Sequence, residues 1–106
     1  MGYRSRVAIS LSDPALETIK SAIKLDKNLR ELVNDSEEPT LDHGRIYFSD
    51  IKWYEGYPGI DAMENFLSQL DEEDYGFIRI GEDYEDVEEK GEPYTYEMYV
   101  SREIEW

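Results

Sequence analysis

The chain of 106 residues contains no cysteine. Disulfide bonds, thiolate catalysis and zinc sites built on cysteine are therefore excluded, and the absence fits a reducing cytoplasm. The single histidine, His43, lies in a polar segment, where no hydroxyl or thiol is singled out as its partner in a catalytic triad. No glycine-rich phosphate loop is present. We expect a protein that is not an enzyme and has no cofactor.

Basic residues are scarce as well, with 11 Lys and Arg against 26 Asp and Glu and a net charge of −15. Such a surface repels phosphate backbones and anionic membranes, so we expect no direct binding to nucleic acid and no membrane association. No apolar run approaches the ~20 residues of a membrane span, and we expect no signal peptide, because the start MGYRSRVAISL has no apolar run of the required length. The natural electrostatic complement is a basic protein surface.

The hydrophobic and aromatic content predicts one folded domain over residues 1–106. Hydrophobic residues make up 40% of the chain and aromatic residues 13%, including nine tyrosines, which is too much for a disordered tail. Alternation of Val7, Ile9 and Leu11 predicts a strand. Asp13 is expected to cap a following helix, with Pro14 at its first position.

The apolar stripe of that first helix continues to Val33, so it either runs that far or breaks near Asp26. Its apolar positions are Leu16, Ile19, Ile23, Leu25, Leu29, Leu32 and Val33. The segment RIYFSDIKWY predicts a second strand with apolar residues on both parities, which requires either two covered faces or a bulge. Pro58 begins a second helix whose apolar face is formed by Ile60, Met63, Phe66, Leu67 and Leu70.

The remaining elements follow in the last third of the chain. GFIRIG predicts a strand, EDYEDVEEKGEP a charged connection, and the alternation of Tyr94, Tyr96, Met98 and Val100, continued by Ile104 and Trp106, a final strand. The element order is β-α-β-α-β-β. We therefore predict an α+β fold with a four-stranded, mainly antiparallel sheet and two helices packed on one face.

Charge is concentrated at the C-terminal end. Residues 71–106 carry 14 acids and 3 bases, a net charge of −11, whereas residues 1–70 have a net charge of −4. We call residues 71–106 the acidic lobe. A calcium loop of the EF-hand type is not indicated, because the acidic run lacks the central glycine, so we expect no metal. A solvated acidic loop is the plainer interpretation of the same residues.

The more specific hypothesis is phosphate mimicry, in which carboxylates present negative charge to a groove built for nucleic acid and aromatic rings replace the bases. The candidate partner-binding residues are Glu82, Asp83, Tyr84, Glu85, Asp86, Glu88, Glu89 and Tyr94.

Three segments resemble a family of small proteins encoded by phages and prophages: the start MGYRS, the middle KWYEGYPGIDAMENFL and the later DYGFIRIGEDYEDVEEKG. The shared pattern is an MGYRS-type start, KWY-x-x-YP before a helix, and GED-x-x-D-x-E after a strand. The resemblance implies a phage context, a site of action in the cytoplasm of a bacterial host, and a counter-defence role such as that of an anti-CRISPR protein. It carries over no catalytic residues.

Two functions of different class follow from the sequence. The first is a non-enzymatic inhibitor whose acidic lobe binds a basic nucleic-acid-binding protein of the host, such as a CRISPR effector or a nuclease. The alternative is a phage accessory protein that self-associates, as a homodimer, through the apolar strand ending in Ile104 and Trp106. A charge-driven complex weakens at raised salt, whereas an apolar dimer does not.

Overall fold

A computed structural model describes residues 4–36, 44–83, 85–96, 98–100 and 104–105. Its helices and strands, in chain order, are β1 (Ser5–Leu11), α1 (Asp13–Leu25), α2 (Lys27–Asn34), β2 (Arg45–Ile51), α3 (Pro58–Ser68), β3 (Tyr75–Ile80), β4 (Val87–Gly91), β5 (Tyr99–Val100) and β6 (Ile104–Glu105). Single turns of 3-10 helix cover Glu72–Asp74 and Pro93–Tyr96. The α+β class is confirmed.

The main sheet has four strands in the order β2-β1-β3-β4, and every neighbouring pair is antiparallel. β1 and β3 are the inner strands, and β2 and β4 form the two edges. The predicted four-stranded antiparallel sheet is therefore present. β5 and β6 form a separate two-stranded antiparallel ladder.

Three helices occur in the described part of the chain, where the sequence predicted two, because the first helical region breaks at Asp26. The Asp26 side chain accepts hydrogen bonds from the backbone N–H groups of Asn28 and Leu29, at 3.0 and 3.1 Å, and so caps the start of α2. Leu25, at the end of α1, is nine residues from Leu16 and so lies on the opposite side of the helix, where it is 90% exposed. The other predicted apolar positions pack as expected.

The cap of α1 is Ser12 rather than the predicted Asp13. The Ser12 hydroxyl oxygen accepts a hydrogen bond from Ala15 N–H at 3.2 Å, and its own proton is donated to Asp74 Oδ1 at 3.0 Å. Asp13 instead lies in the first turn, where its negative charge complements the helix dipole. The start of α1 is thereby tied to the residues that precede β3.

A bulge in β2 explains why its apolar residues occupy both parities. Ser5 pairs with Ile51 but Val7 pairs with Phe48, so two residues of β2 lie opposite one residue of β1. The extra residue brings Ile51 and Trp53 onto the face already occupied by Ile46 and Phe48. The other predicted alternative, that both faces of the strand are covered, also holds, since Tyr47 packs against the apolar cluster on the opposite face.

The helices cover one face of the sheet. Buried residues of all three helices form a single cluster with strand residues that share that face, among them Val7, Ile9, Phe48 and Phe77. On the other face, Ala8 and Ile78 pack against Met98, with Tyr96 at the margin. None of the helices in the described ranges combines the length and apolar character needed to cross a bilayer.

Two predictions for the last third of the chain are wrong. The acidic run assigned to a charged connection contains the edge strand β4, because Val87–Gly91 pairs with β3 and its charges are matched across the strands. The predicted final strand begins instead as the 3-10 turn Pro93–Tyr96, which is closed by hydrogen bonds from Thr95 N–H to the Glu92 carbonyl and from Met98 N–H to the Pro93 carbonyl.

Candidate functional site

The acidic run folds as one half of the β3–β4 hairpin, so its side chains alternate between the two faces of the sheet. Lys90 lies opposite Phe77, and Glu88 opposite Arg79, on the face covered by the helices. Glu89 lies opposite Ile78 on the other face. The predicted site is therefore not one continuous acidic face, because neighbouring acids of β4 point in opposite directions.

Arg79 organises the helix-facing side of the hairpin. Its guanidinium makes two hydrogen bonds to Asp86, Nη2 to Oδ1 at 2.8 Å and Nη1 to Oδ2 at 3.2 Å, and a third from Nε to Glu88 Oε1 at 3.0 Å. A fourth runs from Nη1 to the buried Ser5 hydroxyl at 3.1 Å. Only 16% of the Arg79 side chain is exposed. One arginine thus joins β1, β3, the hairpin turn and β4.

Lys90 forms the second centre of positive charge. Its ammonium group pairs with Glu64 of α3 and with Glu88 at 3.4 Å, and it lies 5.1 Å from the centre of the Phe77 ring. Glu64 also accepts a hydrogen bond from the indole N–H of Trp53 at 2.8 Å. These contacts fasten the edge strand to α3 and to the segment after β2.

The KWYEGYP segment forms an aromatic wall beside this network. Trp53 packs between Phe48 and Phe77, with ring centres 6.0 and 5.7 Å away. Tyr54 meets Tyr57 edge-on at 5.4 Å, just before α3 begins at Pro58. The wall and the charged network enclose a cleft of about 570 Å³, whose lining includes Trp53, Tyr54, Glu55, Asp61, Glu64 and Lys90.

The electrostatics of the network favour its charged form. Burial lowers the pKa of Lys90, but the hydrogen bond and charge of Glu64, together with Glu88, outweigh burial and leave that pKa above its ordinary value. The pKa of Arg79 is raised for the same reason, with Asp86 and Glu88 outweighing burial. Burial raises the pKa of the Tyr75 hydroxyl.

The structure separates the predicted partner-binding residues into two groups. Glu82, Asp83, Glu85 and Glu89 have exposed side chains on the hairpin turn and the outer face of β4. Asp86 and Glu88 are half-buried, and Arg79 holds both of them. Two carboxylates of the candidate set therefore serve the fold, and their charge is balanced inside the molecule.

Only one of the two predicted aromatic anchors, Tyr94, belongs to the described residues, and it does not lie beside the acidic turn. Tyr84 lies outside the described residues. Tyr94 is 73% exposed, but it follows β4 at the end of the hairpin away from the turn. The four residue steps from Val87 to Gly91 alone separate the two ends by about 13 Å.

A second group of acids lies at that far end. Glu92 follows β4 and its N–H donates to the Tyr75 carbonyl at 2.9 Å, while the exposed Glu72 and Glu73 immediately precede β3. The Tyr96 hydroxyl donates to the Glu73 carbonyl at 2.9 Å and holds this end together. We name β4 together with the exposed acids Glu82, Asp83, Glu85, Glu89 and Glu92 the acidic edge.

Sequence patterns did not predict the residues that organise the site, namely Arg79, Lys90, Glu64 and Trp53. A signal was present, because Arg79 and Lys90 are the only bases between residues 71 and 101. A lone arginine in an otherwise apolar strand requires an anionic partner when it is buried. What the sequence does not contain is the register that places Glu88 opposite Arg79.

Within the described residues, no group of three or more histidine, aspartate or glutamate side chains is arranged to hold a metal ion. Comparison of the chain with protein-family models, with curated proteins and with solved structures gave no match.

Proposed function

We propose that this protein is a non-enzymatic inhibitor that binds a basic nucleic-acid-binding protein of a bacterial host through its acidic edge. The observation that carries the proposal is the exposure of Glu82, Glu85, Glu89 and Glu92 around an edge strand that is paired with β3 along its length. Carboxylates spaced along an extended hairpin offer a basic groove a row of negative charges, as a phosphate backbone does. The partner would lose access to nucleic acid because its groove is occupied.

The ion pairs beneath the acidic edge support this function. Arg79 and Lys90 fix the hairpin from its helix-facing side and leave the acids on the outer side exposed. A binding surface that is ordered before the encounter avoids much of the entropy cost of association. The net charge of −15 would also accelerate the encounter with a basic protein.

The adjoining cleft offers a place for a basic side chain of the partner. Trp53 and Tyr54 provide aromatic surface, and Glu55 and Asp61 provide negative charge in addition to Glu64, which is paired with Lys90. Cations over aromatic rings with carboxylates nearby are a favourable arrangement for arginine and lysine. A partner groove that contacts the acidic edge would thus gain an anchoring pocket beside it.

The identity of the target class rests on the sequence. The resemblance of MGYRS, KWYEGYP and GEDYEDVEE to small phage and prophage proteins is the reason to place the partner among host defence proteins, such as a CRISPR effector or a nuclease. The site of action would then be the cytoplasm of the infected cell.

A matched pair of charge-reversal variants tests the proposal. The edge variant carries Glu82→Lys, Glu85→Lys and Glu89→Lys, whose side chains are exposed and lie outside the Arg79 network. The control variant carries Glu17→Lys, Glu31→Lys and Asp35→Lys, which are exposed on or directly after the first two helices. Both variants change the net charge by the same amount.

Tagged forms of all three proteins would capture partners from bacterial lysate, with elution in a salt gradient and identification by mass spectrometry. The proposal predicts that the wild type and the control retain a basic nucleic-acid-binding protein that elutes at raised salt, and that the edge variant loses it. Equal capture by both variants would contradict a role for the acidic edge.

The same experiment addresses the self-associating alternative. Of the two residues assigned to that interface, Ile104 lies in β6 and Trp106 lies outside the described residues. Recovery of the protein alone, as an oligomer that salt does not dissociate, would favour an accessory protein that assembles with itself.

A further inference from the structure

We propose that the acidic edge binds its partner by strand addition, with a basic, extended segment of the partner pairing along β4 as a fifth strand of the sheet. This inference rests on the proposed function, because it specifies the form that the basic partner takes at the same surface. It differs from simple charge attraction in requiring main-chain hydrogen bonds.

The phase of the hydrogen bonds shows which backbone groups of β4 are directed outward. At the hairpin turn, Gly81 N–H donates to the Asp86 carbonyl at 2.8 Å. Bonding to a neighbouring strand occurs at alternate residues of an antiparallel strand. Glu88 and Lys90 therefore bond to β3, whereas the backbone of Val87 and Glu89 faces away from it.

Glu89 supplies the open donor at the middle of this edge. The Val87 N–H already donates to the Glu85 carbonyl at 3.1 Å, within the turn. β4 pairs with β3 only, and none of the described residues accepts the Glu89 N–H. An unpaired strand edge of this kind is a template for another strand.

Charge selects the occupant of the edge. A strand paired along β4 would place a side chain beside the exposed Glu89 carboxylate. Its two ends would lie near the acids of the turn and near Glu92. Opposite charges on neighbouring strands attract, and like charges directly opposite one another are destabilising. A lysine or arginine of the partner strand, placed beside Glu89, would pair with its carboxylate.

Val87 refines the pattern that the partner strand needs. Its side chain is 40% exposed and lies on the same face of the sheet as Glu89, two residues away. A partner strand with an apolar residue beside Val87 and a basic residue beside Glu89 would match both positions. The expected segment therefore has lysine or arginine and an apolar residue at positions two apart on one face.

A second copy of this chain is a poor occupant. Antiparallel pairing of two β4 strands about Glu89 would set that glutamate beside its own counterpart, between two chains that each carry a net charge of −15. Charges on an edge strand protect proteins against such self-pairing. A basic segment from another protein meets no such repulsion.

The test uses as its probe the nine-residue peptide Lys-Ser-Val-Ser-Lys-Ser-Val-Ser-Lys, whose lysine and valine side chains alternate along one face when it is extended. Amide hydrogen exchange of the ¹⁵N-labelled protein is measured by NMR with and without saturating peptide. Strand addition predicts that exchange of the Glu89 amide slows by about tenfold or more, while the Lys90 amide, already bonded to β3, changes little. Amides of β2, at the opposite edge, should not respond.

A second peptide of the same sequence, N-methylated at alternate residues on its pairing edge, keeps the charge and removes the hydrogen-bond donors. The protein variants Glu89→Pro and Glu89→Gln form the matching comparison, since both lose the charge but only proline loses the outward N–H. We expect the methylated peptide to bind about tenfold more weakly than the unmodified peptide. We expect Glu89→Pro to bind the unmodified peptide about tenfold more weakly than Glu89→Gln does.

The outcomes separate this inference from the proposed function. Equal, salt-sensitive binding of both peptides would overturn strand addition and leave an acidic surface that attracts basic proteins. Absence of peptide binding would also overturn it, while partner capture by the wild type would still support the proposed function. Protection of the Glu89 amide that grows with protein concentration in the absence of peptide would identify a second copy as the occupant and overturn the inference.

Discussion

Arg79 and Asp86 are joined by two parallel hydrogen bonds, of 2.8 and 3.2 Å, across the turn between β3 and β4. This planar, two-point contact is the strong form of an ion pair. The Arg79 guanidinium places one positive charge between the carboxylates of Asp86 and Glu88, and so stabilises a hairpin in the most acidic part of the sequence. The remaining acids of the run are thereby held in fixed positions on the outside.

Replacing Arg79 with methionine should destabilise the fold by about 2 kcal/mol, because half-buried Asp86 would lose its two-point contact and Glu88 would keep only Lys90 as a cation. Urea denaturation measures this loss. Arg4→Met is the matched control, since Arg4 contacts Asp50 at 3.6 Å with both side chains well exposed, and such a pair contributes at most about 1 kcal/mol. Equal effects of the two substitutions would contradict the central place of Arg79.

Stability should fall in alkaline solution. The pKa values of Tyr75 and Lys90 are both raised in the folded protein, from ordinary values of 10.0 and 10.5. The folded state therefore holds these protons more tightly than the unfolded state. Their contribution to the free energy of unfolding is fully present below the ordinary values and is lost as pH rises through the raised ones.

Chemical denaturation between pH 8 and pH 11.5, roughly the range that brackets both groups, measures this decline. Tyr75→Phe and Lys90→Met should each make the decline shallower. Tyr94→Phe removes an exposed hydroxyl instead of a buried one and serves as the control. A decline with the same slope in all four proteins would show that these two groups are not its source.

Gly91 is required at the end of β4. Its φ is +67°, and a Cβ atom built there would lie 2.3 Å from the Tyr75 carbonyl oxygen. Gly91→Ala should cost about 3 kcal/mol, since it combines left-handed backbone strain with a main-chain clash. Gly56, with φ of +98° and nothing within 4 Å of the added atom, is the control. Thermal or urea unfolding should show the smaller loss for Gly56→Ala.

The elements that the sequence predicted well are those in which local pattern and tertiary packing agree. α3 begins at Pro58 and buries Ile60, Met63, Phe66 and Leu67 as its periodicity indicated. The mixed parity of the second strand required either two covered faces or a bulge, and the register shift between Ser5 and Val7 shows that a bulge is present. In both cases apolar spacing alone decides which side is buried.

β4 could not be predicted in this way, because the segment from Val87 to Gly91 has three charged residues and no apolar alternation. Strand formation there depends on partners that are distant in sequence: pairing with β3, the Arg79 guanidinium, and Glu64 of α3. Strand preference is set largely by such neighbours. The division of the acids into a half-buried and an exposed group follows from the same register.

The most direct test of the central claim is competition between this protein and nucleic acid for the captured partner. Fluorescence anisotropy of a labelled duplex bound to that partner would be followed while the inhibitor is added. Nucleic-acid mimicry predicts full displacement by the wild type and by the helix control variant, and none by the variant reversed at Glu82, Glu85 and Glu89. Binding of the protein to the partner–duplex complex without release of the duplex would contradict nucleic-acid mimicry.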